Sequence, residues 1–170
     1  MYLVITVAVF LILGYFVVDW KRWRDFYPTI QFYIICNLMY NFIFFNHTLW
    51  AYNPRAPWLN HTVIDLVFSL IIMPIIIMIY LDHIPAFFKK KLLYWTGWVV
   101  LFTVIEYFFQ KMDLFIYQNG WGIMRSAMFN GIMFTVLGVH YKRSLAGLLL
   151  AIPIIILLLY FHHPSFQDLK

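Results

Sequence analysis

The chain has 170 residues, 64% of them hydrophobic and 22% aromatic, with a mean hydropathy of +0.81. Only 11% carry a formal charge, against about 25% in a soluble domain, which excludes a soluble globule, a disordered chain and a nucleic-acid binder with a clustered basic face. The net charge of +5 is read as a bias of the connecting loops.

Six apolar stretches follow one another: Tyr2 to Val18, Ile30 to Trp50, Thr62 to Leu81, Leu93 to Gln110, Gly122 to Val139 and Leu145 to Phe161. Each has about 17–21 residues, enough to cross a ~30 Å hydrocarbon core at ~1.5 Å per residue. Strands fit poorly, because Ile71 to Leu81 does not alternate and backbone groups in lipid need partners within their own segment. The first stretch has no basic leader and no small-x-small cleavage site, so it reads as a retained span. The expectation is an all-α, polytopic transmembrane bundle of six helices with short loops, one domain over 1–170.

The connectors carry the charge and the turn signals. Asp19 to Thr29 follows span one, Ala51 to His61 span two and Asp82 to Leu92 span three. Lys111 to Trp121, with its Asn119-Gly120 turn signal, and His140 to Ser144 complete the set. Trp20, Trp23, Tyr27, Trp50, Tyr52, Trp58, Tyr94, Trp95, Trp98, Tyr117 and Trp121 read as an interfacial aromatic belt, with no ligand role. Eight of the twelve basic residues lie in the first, third and fifth connectors; Arg55, Lys111 and Lys170 lie opposite. Basic connectors stay cytoplasmic, so both termini are expected outside.

Charged residues within spans are costly and need a reason. There are three: Asp65, Glu106 and Arg125. Glu106 and Arg125 stand at similar depth on either side of the fourth connector, and a charge-assisted pair between them is expected. It reads as a structural lock, with a gate or anion site at Arg125 and simple snorkelling as alternatives. Thr62-Val63-Ile64-Asp65 fits a capping box. His61, Asp65 and Ser69 share a helical face, but the ~12 Å axial rise from His61 to Ser69 prevents them forming a triad on their own. Asn46-His47-Thr48 and Asn60-His61-Thr62 match glycosylation sequons that lie too near the membrane. They read mainly as caps; His47 and His61 with Asp65 and Glu106 could form a divalent-metal mouth, but their spacing matches no metal motif. His162-His163 reads as a solvated tail.

Nearer mid-bilayer the polar groups are amides. Asn37 and Asn41 lie at i, i+4 in span two, with Tyr33 and Thr48 extending the stripe, and Asn130 follows Ser126 by one turn in span five. Such groups join helices by bonds of about 1 kcal/mol in lipid; a polar lumen is the sharper alternative. Ala127, Gly131 and Thr135, and Gly147 and Ala151, form small-residue seams. Pro74 and Pro153 should kink their helices. Met73-Pro74-Ile75-Ile76-Ile77 and Ile152-Pro153-Ile154-Ile155-Ile156 hint at an inverted three-plus-three repeat. Cys36 is the one cysteine and has no disulfide partner in the chain.

Several of these pieces resemble a family of uncharacterised six-span membrane proteins common in endospore-forming Gram-positive bacteria. They are Tyr27-Pro28, Asn60-His61-Thr62 with Asp65, Pro74, Glu106, Tyr117-Gln118-Asn119-Gly120-Trp121, Phe129-Asn130 and His140-Tyr141-Lys142. Ile64 stands where relatives carry a polar residue. The resemblance implies a multi-pass protein of the bacterial cytoplasmic membrane and implies no reaction.

The expected site is a polar cluster in the outer half of the bundle: Asn41, His47, His61, Asp65, Glu106, Arg125 and Asn130. No catalytic residue, metal or cofactor is assigned to it. The expected role is a non-enzymatic binding, transport or accessory subunit. Its partners would be the lipid bilayer and a second membrane protein or a second copy, with no nucleic acid. The alternative is a membrane-embedded enzyme acting on lipid or prenyl substrates, with Asp65 or Glu106 as acid/base beside His61.

Overall fold

Apolar runs become helical rods in the computed structural model, which describes residues 2–57 and 59–162. Helix α1 (Tyr2–Val17) passes through a 3-10 turn at Trp20–Arg22 into α2 (Trp23–Ile43). The third rod is composite: α3 (His61–Val67), a π-helical turn (Phe68–Ile72) and α4 (Met73–Asp82). Helices α5 (Phe88–Lys111), α6 (Ile123–Lys142) and α7 (Ser144–His162) complete a mostly helical chain. The third rod, α5 and α7 are each long and apolar enough to cross a membrane; α1 and α2 are so only together, as a pair bent by 92°. Trp58, His163 and Lys170, which entered the sequence reading, lie outside the described residues.

Local chemistry explains the boundaries that moved. Asn60, not Thr62, caps α3: its side chain accepts the Val63 N–H at 2.8 Å. The expected capping box is therefore absent, and Asp65 is released from the helix end to face its neighbours. Pro74 lacks an N–H, and its ring meets the carbonyl four residues back. Just before it the turn widens, with the Met73 N–H bonding Phe68 O, the i→i+5 pattern of a π-bulge. Helix α2 begins well before Ile30 and ends at Ile43, short of the expected Trp50. There the chain turns away to form a strand.

That strand was not expected. β1 (Trp50–Tyr52) pairs antiparallel with β2 (Phe115–Tyr117), in the register Trp50 with Tyr117, Ala51 with Ile116 and Tyr52 with Phe115. The second and fourth connectors thus form a small ladder across one end of the bundle. Aromatic side chains on both strands, with the β-branched Ile116 between two of them, suit such pairing. Beyond β2, Asn119 and Gly120 both have positive φ (50° and 75°), and Trp121 N–H bonds Gln118 O at 2.9 Å. This is the expected Asn-Gly turn, in the I′ form that needs positive φ twice.

Side-chain contacts fix the direction of each rod. Asn37 reaches Ser69 and Asn41 reaches Asp65, so α2 runs antiparallel to the third rod. Leu3 clusters with Ile64, and Gly14 abuts Ile75, so α1 runs parallel to it. Tyr80 stacks on Tyr94 and Phe68 meets Phe109, which makes α5 antiparallel. Trp95 donates to Gly131 O and Thr135 while Glu106, further along α5, accepts from Ser126, setting α6 antiparallel to α5. Gly147 lies against His140 as α7 turns back on α6. From α2 onward successive rods alternate in direction, whereas α1 meets α2 at a bend of 92°. At the end opposite the ladder, Arg22 pairs with Asp82 and Phe26 stacks on Tyr141 at 5.5 Å.

Ile72, Ile77, Phe134 and Leu137 are buried in the core. Outward faces stay apolar: Ile12 and Phe16 on α1, Val104 and Phe108 on α5, Leu148 and Ile156 on α7 are exposed. The rings read as an interfacial belt divide into exposed and inward-packed ones. Trp20, Trp23 and Tyr27 are exposed, but Trp50 stacks on Tyr40 at 4.1 Å, Trp98 packs on Phe134 and the Tyr94 hydroxyl donates to Tyr80 O. These rings are packing elements, turned inward by β1 for Trp50 and by α5 for Tyr94 and Trp98. His162 is likewise buried, its ring 5.4 Å from that of Trp121, and is not solvated.

Candidate functional site

The third rod and α2 build the first half of the site. With Asn60 capping α3, Asp65 sits one turn into the rod, 8% exposed. Asn37 and Asn41, one turn apart on α2, both donate to Asp65 Oδ2 at 2.9 Å. Asn37 also donates to Ser69 Oγ at 2.8 Å. The expected stripe of amides on α2 is therefore real, although Thr48 leaves it to donate to Gln118.

Helices α5 and α6 with β2 build the second half. Glu106 Oε1 accepts from Asn130 at 2.8 Å, and Oε2 accepts from the Tyr117 hydroxyl at 2.9 Å and from Ser126. Burial, then the Glu106 charge, pushes the Tyr117 phenol above the ordinary tyrosine range. A phenol held protonated is a steady donor to its carboxylate.

Arg125 is not the partner of Glu106. It is exposed and donates to Gly120 O at 2.7 Å, tying the start of α6 to the turn before it. The sequence estimate placed the right depth but the wrong side of α6. Ser126, the next residue, meets the carboxylate because one residue rotates a helical side chain by about 100°.

The expected single polar cluster resolves into two networks. Asn41 and Asp65 belong to one, Glu106 and Asn130 to the other. His47 lies in the bend after α2, its N–H on Phe44 O at 3.2 Å. His61 is one turn before Asp65, but its Nδ1 accepts the Tyr52 N–H at 3.1 Å. Among the described residues no three His, Cys, Asp or Glu side chains are grouped to hold a metal, so the metal mouth at His47 and His61 is not formed. Nor do the polar partners follow a three-plus-three repeat: α2 bonds forward to the third rod, whereas α6 bonds back to α5. The turn before Pro74 is π-helical, whereas α7 runs helical through Pro153.

Both networks face one cavity of about 540 Å³ inside the bundle. Asn37, Asp65 and Ser69 line one part of it and Glu106, Ser126 and Asn130 another; most of the remaining wall is apolar or aromatic, and Cys36 belongs to it. Such a volume, with a few convergent polar groups in apolar walls, is typical of a small-molecule site. Tyr117 and Ser126 were missed as Glu106 partners by the sequence reading. Tyr117 sits in a connector, and only the ladder carries it back to α5. Comparison with family models, curated proteins and solved structures finds no match to this chain.

Proposed function

We propose that the chain is an integral membrane protein that crosses the bilayer six times and binds an apolar or amphipathic small molecule within its bundle, as a binding, transport or accessory subunit. The observation that carries this reading is the cavity of about 540 Å³, walled mostly by apolar side chains and furnished with two hydrogen-bonded carboxylates. The alternating rods support the threading, as do the apolar outer faces of α1, α5 and α7. On this reading α1, α2 and α6 cross as well as the three rods that qualify singly by length and composition, the ladder end is outside, and the ends bearing Arg22 and Lys89 to Lys91 are cytoplasmic. The family resemblance adds the bacterial cytoplasmic membrane as the place. The enzymatic alternative needs His61 beside a carboxylate in the cavity; its Nδ1 is taken by the Tyr52 N–H, and binding is what the geometry favours.

Cys36 offers a direct test, because the one cysteine of the chain lines the cavity. In lipid nanodiscs, saturating binding of the neutral fluorophore 1-aminoanthracene should slow N-ethylmaleimide modification of Cys36. A probe that neither saturates nor protects Cys36 would sink the reading.

A further inference from the structure

The cavity also constrains the charge of its occupant; this deepens the binding reading and rests on it. Among its described walls there is no Lys, Arg or His, and the only charged residues are Asp65 and Glu106. Ions inside a membrane protein normally face a partner of opposite charge or water. Neither acid has a basic partner among the described residues; all their donors are amides and hydroxyls.

The two acids are not equivalent. Glu106 takes three donors spread over both oxygens, enough to serve as a fixed strut between α5, α6 and β2. Asp65 takes both amides on Oδ2, and Oδ1 receives neither. His61, one turn away, does not neutralise it: Nδ1 is an acceptor, so the single ring proton sits on Nε2 and the ring is uncharged. Aromatic rings line the same chamber, among them Tyr33, Tyr40, Trp50 and Trp98, and ring faces attract organic cations. Among the described residues no three His, Cys, Asp or Glu side chains group around these acids as a transition metal would need.

We infer that the cavity takes a lipophilic organic cation, an apolar or aromatic body with one onium centre, docked with that centre at Asp65 Oδ1. The test compares three probes of similar shape on the whole protein in zwitterionic nanodiscs, by equilibrium dialysis: tetraphenylphosphonium, neutral triphenylphosphine oxide and anionic tetraphenylborate. After subtraction of uptake by protein-free nanodiscs, the cation should bind saturably and at least about tenfold more tightly than the neutral probe, and the anion should show no protein-dependent binding. Asp65→Asn should bring cation and neutral affinities together, whereas Asp113→Asn, at an exposed acid outside the cavity, should leave the preference standing. If either variant fails to fold, the three-probe comparison on the wild-type protein decides alone. Equal binding of cation and neutral probe, or binding of the anion, overturns the charge assignment and leaves the cavity reading intact. No binding by any probe, with Cys36 unprotected, overturns both.

Discussion

Glu106 is held by three donors from two other elements, and this makes it intolerant of change in a particular way. A glutamine there keeps the shape but turns an NH2 group toward donors. Leaving a buried donor unmatched costs about 1–3 kcal/mol, so Glu106→Gln should lower the unfolding midpoint in detergent, whereas Arg125→Met, which frees only an exposed bond to Gly120, should leave it nearly unchanged. Equal losses would mean that Arg125 supports the acid after all. Tyr117 gives a second readout. Because its folded phenol titrates above the ordinary range, the stability it adds is fully present below the unfolded value of about 10 and fades as pH rises beyond it. Removing the Glu106 charge takes away one cause of that rise. An ultraviolet difference titration, referenced to Tyr117→Phe, should show the phenol ionising at lower pH in Glu106→Gln than in wild type. The amides and acids of this site were legible in the sequence because polar residues in apolar runs stand out. Their pairing was not, because depth along a helix follows from counting, whereas azimuth depends on how each rod is rotated against its neighbours.

The helices themselves were legible for the same reason, and their ends were less so. Apolar length marks a rod, but nothing in Phe44 to Trp50 says that the chain leaves the helix at Ile43; the decision comes from a strand partner more than sixty residues away. Of the small residues, Gly131 and Thr135 face Trp95 on α5, and Gly147 faces α6, where it yields a sharp expectation. A Cβ added at Gly147 would lie 2.5 Å from His140 Cβ and 2.7 Å from its Cα. Backbone cannot yield as a flexible side chain can, so Gly147→Ala must push α7 away, at a cost of about 1–3 kcal/mol. Thermal unfolding should show that loss, and it should exceed the loss for Gly97→Ala, where an added Cβ meets nothing within 4 Å. Gly131 is intermediate, since its added Cβ would meet the Trp95 ring at 3.0 Å.

The ladder makes the threading of the whole chain testable. Ala51 and Ile116 are paired residues on β1 and β2, and directly opposed residues of an antiparallel pair have Cβ atoms roughly 4.5–5.5 Å apart, close to disulfide reach. In a Cys36→Ser background, Ala51→Cys with Ile116→Cys should cross-link under a membrane-impermeant oxidant applied to intact cells. Cross-linking only after the membrane is breached would invert the proposed orientation; no cross-link under either condition would deny the ladder. The widened turn at Phe68–Ile72 has a consequence for the architecture as well. It lies between the half of the third rod that offers Asp65 to the amides of α2 and the half that sends Tyr80 toward Phe134. Wound as ordinary α-helix, the same residues would carry one half about 100° round from where it now stands, so no setting of the rod could satisfy both partners at once. The widened turn, by absorbing one residue, acts as the indexing pin of the molecule and keeps its polar and aromatic interiors in phase.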